Sequence, residues 1–203
     1  LRISSSPKYP EILGRVKKGE KLLDLGCAFG QELRQLAYDG APSENLYGSD
    51  LHYDFMVLGY DLFRDSSRLK STFIGADILE EDSSLLTQLT GQLNIIYTSL
   101  FFHLFDWDKQ LRAIKHMLRL LSPQLDSLIT GRFVAYTDVN VAKSKLGTVL
   151  PFYHSLDSWK QLWEATQQST GTALRVEMWQ EEDLLLTDTE SGAFMLCFAI
   201  YRK

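Results

Sequence analysis

Residues 22–30 read Leu22-Leu23-Asp24-Leu25-Gly26-Cys27-Ala28-Phe29-Gly30, an apolar stretch with an acidic residue near its end that runs into a turn of small residues. This pattern predicts a buried strand over Lys21–Leu25 and a helix over Gly30–Tyr38. Gly26 and Gly30 permit backbone torsions and close approaches that a side chain would block. The stretch therefore indicates a strand, a tight turn with room for a ligand, and a helix. A turn that binds no ligand is the alternative.

Strand and helix patterns alternate from Lys21 to about Tyr136, which is typical of a parallel sheet with crossover helices. The further strands are predicted at Asn45–Ser49, Thr72–Gly75, Leu93–Thr98, Ser127–Tyr136, Ala173–Trp179 and Ala193–Arg202. The further helices are predicted from about Tyr53 and over Ser83–Thr90, Asp106–Leu121 and Ser155–Gln168. We expect an α/β fold in one domain over residues 1–203, because 203 residues with 45% hydrophobic content can bury one good core. Its mostly parallel sheet of seven strands would have helices on both faces and an antiparallel last strand.

Composition and charge argue against several classes of function. A net charge of −5 without any run of basic residues provides no electrostatic footprint for nucleic acid. The longest apolar segments, such as 193–201, are too short to span a membrane. Cys27 and Cys197 lie far apart in different contexts, so no disulfide is predicted and a cytoplasmic location is favoured. No metal-ligand spacing of His and Cys stands out, and the first residue, Leu1 rather than Met, indicates a trimmed N-terminal segment.

Acidic residues also stand at the ends of the second and third predicted strands, at Asp50 and Asp77. A carboxylate such as Asp50 accepts two hydroxyl hydrogen bonds, which suits a ribose diol. Asp77 would accept the exocyclic amine of an adenine, and Asp24 suits a cationic group such as the ammonium of a methionine tail. Three acidic strand ends in series therefore predict a site for a nucleoside with a charged tail, with S-adenosylmethionine as the best candidate. The alternative for Asp50 and Asp77 is a helix cap.

Residues beside these carboxylates narrow the chemical identity of the predicted ligand. Ile78 would give the adenine ring an apolar wall, and Leu51 or His52 would pack on its face, although His52 is alternatively a solvated residue at a helix start. A nicotinamide fingerprint needs a further glycine after the turn, and Gln31 follows it instead. No phosphate-binding Lys-Ser/Thr pair follows the turn either, and Asp24 fits better with a cationic ligand group.

The fourth strand is predicted to run into Thr98-Ser99-Leu100-Phe101-Phe102-His103-Leu104-Phe105, a segment rich in aromatic residues. Ser99 and Leu100 would lie beside the cofactor, and Phe102 and His103 beside the methyl acceptor. Methyl transfer to a hydroxyl needs the acceptor deprotonated and held close, and His103 is the candidate catalytic base. A carboxylate acceptor needs no base, and His103 would then orient it by a hydrogen bond. The alternative is a buried structural histidine.

The chain resembles the class I S-adenosylmethionine-dependent methyltransferases, whose first motif is acidic-x-Gly-x-Gly-x-Gly. Here the motif is Asp24-Leu25-Gly26-Cys27-Ala28-Phe29-Gly30, with Ala28 in place of the middle glycine, and the second and third motifs match at Asp50 and Asp77. The match covers Lys21 to about Tyr136. The resemblance implies a Rossmann-like fold, S-adenosyl-L-methionine as cofactor and S-adenosyl-L-homocysteine as product. The implied cofactor-binding residues are Asp24, Gly26, Cys27, Ala28, Gly30, Asp50, Leu51, His52, Asp77, Ile78, Ser99 and Leu100.

Three further stretches resemble small fungal methyltransferases of meroterpenoid and related secondary-metabolite pathways. These stretches are Asp39-Gly40-Ala41-Pro42, Tyr47-Gly48-Ser49-Asp50-Leu51-His52 and His154-Ser155-Leu156-Asp157-Ser158-Trp159. The resemblance implies O-methylation of a carboxylate or hydroxyl of a terpenoid-type secondary metabolite, with Tyr153 and His154 on the substrate side. The alternative for these two residues is a loop at a helix start with no ligand. Family members carry an N-terminal segment that would complete the pocket.

Other functions remain open from the residues. An N-methyltransferase acting on an amine or a protein would carry an acidic, aromatic tetrad after the fourth strand, and Ser99-Leu100-Phe101-Phe102 does not fit it. A non-catalytic S-adenosylmethionine-binding module would bind cofactor without turnover, and a nicotinamide oxidoreductase ranks third. The polar stretch Thr137–Pro151 is predicted to be a lid. The expected partner is a small apolar molecule, with a homodimer as an open option, and without nucleic acid, membrane or metal.

Overall fold

The computed structural model describes residues 3–137, 152–181 and 192–203. The strands in these ranges are β1 (Leu22–Leu25), β2 (Leu46–Asp50), β3 (Thr72–Gly75), β4 (Ile95–Ser99), β5 (Leu128–Tyr136), β6 (Leu174–Glu181) and β7 (Ala193–Arg202). The α-helices are α1 (Tyr9–Lys17), α2 (Gln31–Tyr38), α3 (Tyr53–Phe63), α4 (Ser84–Leu89), α5 (Trp107–Leu120) and α6 (Leu156–Thr170). The prediction of an alternating α/β chain is confirmed.

One sheet contains all seven strands of the described ranges, in the order β3-β2-β1-β4-β5-β7-β6. The first five strands are parallel, whereas β7 is antiparallel to both β5 and β6. The chain thus crosses from β3 back over the centre of the sheet to β4. This reversal brings the carboxyl ends of β1 and β4 side by side, and such a switch point is where open α/β sheets bind ligands.

The two faces of the sheet carry separate hydrophobic cores. Leu23 and Ile96 face one side, where α5 and α6 cover them with residues such as Ile114 and the fully buried Trp159. Leu22 faces the other side, where α1 and α2 cover it. Because β1 is apolar on both faces, it lies in the middle of the sheet, with all four of its residues buried. The prediction of helices on both faces is confirmed.

Side-chain caps start three of the helices. Asp106 accepts a hydrogen bond from the N–H of Lys109 at 2.8 Å, and Ser83 accepts one from Leu86 at 3.3 Å. Ser155 and Ser158 form a reciprocal capping box at the start of α6. These caps begin α5 and α6 within one residue of the predicted starts.

Gly59 allows α3 to pack directly on the turn after β1. A Cβ atom at position 59 would lie 2.4 Å from the backbone oxygen of Phe29, which is closer than any real contact. The guanidinium of Arg34 reinforces this contact, because it donates to Phe29 O and pairs with Asp65 at 2.7 Å. The glycine therefore sets the distance between α3 and the turn.

One helix was not predicted, and most of one predicted element lies outside the described residues. Helix α1 was not predicted, because its apolar stripe consists mainly of Ile12 and Val16 around an interior glycine. Most of the predicted lid, residues 138–151, lies outside the described residues.

Among the helices that the structure describes, none combines the length and apolar character needed to cross a bilayer. Residues 3–137, 152–181 and 192–203 contain no cluster of three His, Cys, Asp or Glu side chains arranged to hold a metal.

Candidate active site

A cavity of about 260 Å³ opens at the carboxyl ends of β1 to β4. Five predicted cofactor residues line it: Gly26, Asp50, Leu51, Asp77 and Ile78. Sequence reasoning missed the rest of its wall as cofactor contacts, namely Leu25, Ala76, Leu79, Phe101, Leu104 and Phe105. The wall is mostly apolar with two carboxylates, which suits a nucleoside with a polar edge.

The carboxylate of Asp50 connects two segments of the site by hydrogen bonds. Its Oδ2 accepts the N–H of Ala28 at 3.0 Å, and its Oδ1 accepts the N–H of His52 at 3.1 Å. One side chain at the end of β2 thereby fixes both the turn after β1 and the first residues after β2. Each carboxylate oxygen has a second lone pair, so the group can still accept hydroxyl hydrogen bonds.

The turn after β1 is held in an unusual backbone conformation. Gly26 and Gly30 have φ values of 79° and 70°, and Ala28 between them has φ 46°. A non-glycine residue with positive φ is costly, and here the N–H bond to Asp50 stabilises it. Gly26 N also donates to Ser49 O at 2.8 Å, which anchors the turn to β2. The turn is therefore preformed.

Cys27, a predicted cofactor contact, has a thiol that is buried in the turn. Its sulfur lies near Gly48, where an added Cβ would be 3.0 Å away, and burial raises the pKa of the thiol well above its usual range. Neither this thiol nor that of Cys197 forms a disulfide. A ligand in the turn would therefore meet the backbone of Cys27 rather than a reactive thiolate.

Asp24 lies almost completely buried at the centre of β1. Its Oδ2 has no hydrogen-bond partner within the described residues. Burial and the nearby carboxylates of Glu32 and Asp50 raise the pKa of Asp24 well above its usual range. A buried, uncompensated carboxyl group beside the turn fits a cationic ligand group, which would restore its ionised form.

Asp77 and Ile78 form a short turn after β3. Asp77 Oδ1 accepts the N–H of Leu79 at 2.8 Å, so the residue also caps its own turn. The ring Nδ1 of His116 lies 2.6 Å from the backbone oxygen of Ile78 and fixes that residue from behind. Both predicted residues face the cavity, and the local cap and a ligand contact use different parts of the carboxylate.

The end of β4 brings a second strained residue to the site. Leu100 has φ 53°, and its N–H donates to the backbone oxygen of Arg132 at 2.8 Å. The hydroxyl of Ser99 is buried and has no hydrogen-bond partner within the described residues. Strained backbone and unpaired polar groups are typical of functional sites. Neither residue is on the wall of the 260 Å³ cavity.

His103 follows this segment in a short 3₁₀ turn, Phe102–Leu104. It is half-buried, and burial lowers the pKa of its imidazole. Its Nδ1 is buried without a hydrogen-bond partner in the part of the chain that the structure describes. The ring is therefore neutral at neutral pH and retains an available nitrogen, although it lies outside the cavity wall.

Phe102, predicted to contact substrate, is a core residue in the structure. Its ring packs at 4.9 Å from that of Trp159 and at 5.9 Å from that of Phe198, and it is 1% exposed. The cavity is instead lined by Phe101 and Phe105 on either side of it. The alternation arises because the 3₁₀ turn rotates successive side chains to different faces.

Gln110 and His154 form a buried polar hub behind the cavity. The Nε2 of Gln110 lies 3.0 Å from Phe102 O, 3.0 Å from Phe105 O and 3.3 Å from Phe152 O. Its Oε1 lies 2.6 Å from Nε2 of His154. Because Gln110 Nε2 is the donor to the carbonyls, its oxygen must accept and His154 Nε2 must carry the proton. The hub joins the cavity wall to the segment before α6.

This placement leaves no free ring nitrogen on His154 for a substrate. Its Nδ1 lies 3.0 Å from the hydroxyl of Ser158, and the side chain is 1% exposed. Burial lowers the pKa of His154 to about 3. The neighbouring Tyr153 is half-buried, with its ring 5.3 Å from that of Tyr136 at the end of β5.

The low pKa of His154 predicts a specific acid sensitivity. The folded protein keeps the ring neutral down to about pH 3, whereas the unfolded chain takes up a proton below about pH 6.5. Stability is therefore complete above pH 6.5 and falls as the pH drops toward 3, by up to about 1.4 kcal/mol per pH unit. His154→Gln keeps an N–H donor that does not titrate. Urea unfolding at several pH values should show a shallower acid loss for His154→Gln.

The matched control for this prediction is His52→Gln. His52 is exposed at the start of α3, so its replacement should leave the free energy of unfolding at pH 7 unchanged and controls for the exchange of histidine for glutamine itself. Parallel acid curves for the wild type and His154→Gln would contradict the neutral, buried state of His154.

The fold is that of the class I S-adenosylmethionine-dependent methyltransferases. The chain aligns with the magnesium protoporphyrin IX methyltransferase of Synechocystis, solved with S-adenosylhomocysteine, at TM-score 0.67 and 15% identity, over 99% of this chain and 82% of the other. An S-adenosylmethionine-dependent methyltransferase of Mesorhizobium loti aligns at TM-score 0.65 and 15% identity, over 98% and 100%. At such identities these likenesses establish the fold alone. No protein-family model matches the chain.

Similarity to curated proteins is much greater. The asnovolin E/chermesin D methyltransferase nvfJ of Aspergillus novofumigatus is 66% identical over 100% of this chain and 73% of its own length. The methyltransferase adrK of Penicillium rubens is 53% identical over 100% and 74%. The O-methyltransferase phiE of a fungal species is 46% identical over 90% and 61%. The chain belongs to this family of fungal secondary-metabolite methyltransferases.

Proposed function

We propose that the protein transfers a methyl group to an oxygen, a carboxylate or hydroxyl, of an apolar secondary metabolite of the meroterpenoid type. The observation that carries this proposal is the 66% identity, over the whole chain, to a methyltransferase named for asnovolin E and chermesin D. The relative named as an O-methyltransferase favours oxygen over nitrogen as the acceptor atom. The aromatic wall beside β4 supports an apolar acceptor.

We assign the cofactor to the cavity at the carboxyl ends of β1 to β4. Asp50 would accept hydrogen bonds from the ribose, and Asp77 with Ile78 would hold the adenine edge and face. The buried carboxyl of Asp24, with its unpaired oxygen, would receive the ammonium of the methionine tail. The turn 26–30 leaves room at the backbone because Gly26 has no side chain in front of Phe101. When bound, S-adenosylmethionine supplies a methyl group on a positively charged sulfur.

We assign the acceptor-side chemistry to His103. A neutral imidazole accepts the proton of a hydroxyl at a ring nitrogen as that oxygen becomes the nucleophile. With a carboxylate acceptor no proton moves, and a ring N–H donates to the acceptor instead. The lowered pKa of His103 keeps the ring in the neutral form that both roles need. Tyr153 remains the proposed substrate contact from the segment before α6.

Phe102 and His154 receive a different role from the one the sequence indicates. Their burial and internal contacts favour positioning over substrate contact, because Gln110 links both to the cavity wall. Phe101 and Phe105, which line the cavity, would exclude water from the reacting groups.

The test is an assay of the purified protein with S-adenosylmethionine and asnovolin E or chermesin D as acceptor. We expect S-adenosylhomocysteine and a product heavier by one methylene group. Mild alkaline hydrolysis separates the acceptor atoms, because it returns the acceptor from an ester but leaves an ether intact. Asp108→Ala, an exposed change on α5, serves as the matched control for loss of activity in Asp50→Ala.

Each other outcome has a distinct meaning. Turnover with amine acceptors alone would establish N-methylation and overturn the oxygen assignment. Tight binding of S-adenosylhomocysteine without turnover on any acceptor would favour a non-catalytic cofactor-binding module. A His103→Gln variant that retains full activity on a hydroxyl acceptor at all pH values would remove His103 from the reaction.

A further inference from the structure

Helix α3 exposes an apolar stripe that a surface helix ordinarily would not carry. Phe55, Leu58 and Leu62 lie on one side of the helix and are 40%, 51% and 64% exposed. Phe29 in the turn after β1 extends this side, with its ring 5.5 Å from that of Phe55. Leu51, also exposed, lies at the start of the same surface. These residues, Phe29, Leu51, Phe55, Leu58 and Leu62, are called the α3 patch.

The α3 patch is large enough to be an interface. With roughly 200 Å² for a side chain of this size, its exposed apolar surface is on the order of 500 Å². The largest apolar patch on a typical monomer is about 300–600 Å² and is often functional. A standard stable interface buries about 800 Å² per partner, and polar residues form its rim. The α3 patch therefore supplies the apolar centre of an interface of that size.

Charged residues flank the patch at both ends of the helix. Asp54 is exposed in the first turn of α3, Asp61 is exposed in its last turn, and Arg64 and Arg68 are exposed just after it. None of these four forms an ion pair within residues 3–137, 152–181 and 192–203. The surface thus has one acidic residue at its start, an apolar middle, and two basic residues with one acidic residue at its end.

We propose that the α3 patch is the interface of a homodimer in which the two α3 helices pack antiparallel about a two-fold axis near Leu58. A two-fold interface uses the same surface twice and must be complementary to itself. In the antiparallel arrangement the apolar middle meets its copy and Phe55 faces the partner's Leu62. Asp54 then faces the partner's Arg64. A net acidic start, an apolar middle and a net basic end are what this symmetry requires.

The interface also reaches the cofactor cavity. Leu51 belongs to the α3 patch and lines the cavity, so the second copy covers the mouth at the adenine end. Binding of S-adenosylhomocysteine and dimerisation are therefore coupled, and this coupling rests on the proposed cofactor site. We expect saturating S-adenosylhomocysteine to lower the dimer dissociation constant several-fold, because ligand and partner stabilise the same surface.

Sedimentation velocity across a range of protein concentrations tests the interface without any assay of activity. The wild type should be a dimer, and Leu58→Glu should be a monomer because two carboxylates would face each other on the axis. Leu125→Glu is the matched control, since Leu125 is 73% exposed outside the patch and its replacement should leave the dimer intact. Thermal unfolding establishes that each variant is folded. A wild type that stays monomeric overturns the proposal.

A charge exchange tests the antiparallel geometry. Asp54→Arg and Arg64→Asp should each weaken the dimer at low salt, and the double variant should restore it. A double variant no better than the single ones overturns the antiparallel arrangement. A dimer dissociation constant that does not change with S-adenosylhomocysteine, in protein shown by calorimetry to bind it, overturns the coverage of the cavity. Absence of S-adenosylhomocysteine binding would instead count against the proposed cofactor site.

Discussion

Asp50→Ala is expected to weaken the binding of S-adenosylhomocysteine by at least about 3 kcal/mol, more than 100-fold in the dissociation constant. Two losses combine in this value. The carboxylate would no longer accept the ribose hydroxyls, and hydrogen bonds to a charged acceptor are worth about 1.5–3 kcal/mol. The turn after β1 would also lose the bond from Ala28 N–H that holds its positive φ. Calorimetric titration at constant pH measures the effect.

The controls for this prediction separate charge from shape. Asp50→Asn keeps an oxygen that can accept one of the two backbone N–H groups, so its affinity should fall between those of the wild type and Asp50→Ala. Asp108→Ala removes an exposed carboxylate on α5 and should bind as the wild type does. An Asp50→Ala dissociation constant within threefold of the wild-type value would mean that the cofactor does not contact β2.

Gly59→Ala is expected to destabilise the protein by about 1–3 kcal/mol, although alanine is the better helix former. The added Cβ would lie 2.4 Å from the backbone oxygen of Phe29, so α3 must move away from the turn after β1. Backbone cannot move aside as a flexible side chain can. Because Phe29 belongs to the turn that the cofactor requires, the same change should also weaken the binding of S-adenosylhomocysteine.

Gly14→Ala is the matched control, since Gly14 also lies inside a helix. No atom lies within 4 Å of the Cβ position in α1, so this change should raise the free energy of unfolding by about 0.5–1 kcal/mol. Urea unfolding with unchanged m-values measures both effects. If both variants are more stable than the wild type, the close approach of α3 to the turn is wrong.

The sequence predicted the sheet and the carboxylate positions well because both depend on local patterns. Thr72–Gly75 and Ala193–Arg202 have the predicted bounds, Asp50 is the last residue of β2, and Asp77 follows the end of β3 by two residues. The short loops of the first half leave little freedom, so residues that end neighbouring parallel strands must meet at one edge. The antiparallel last strand was predicted from the two β-rich segments that finish the chain.

The aromatic wall and the polar hub could not be predicted from the sequence. Phe101, Phe102 and Phe105 are chemically alike, and only the 3₁₀ turn decides which of them faces the cavity. Gln110 and His154 are 44 residues apart, and a single chain without related sequences contains no sign that they are partners. Burial by tertiary packing converts His154 from a candidate ligand contact into a structural group.

The position of β7 has a consequence for how the chain is made. This strand, residues 193–202, is inserted between β5 and β6, although both of those precede it in the sequence. While a ribosome is still synthesising the preceding residues, the backbone edges of β5 and β6 have no β7 to pair with. Such unpaired edges recruit other chains. We therefore expect the nascent protein to depend on chaperones until residues 193–202 have emerged, and to acquire its cofactor site only afterwards.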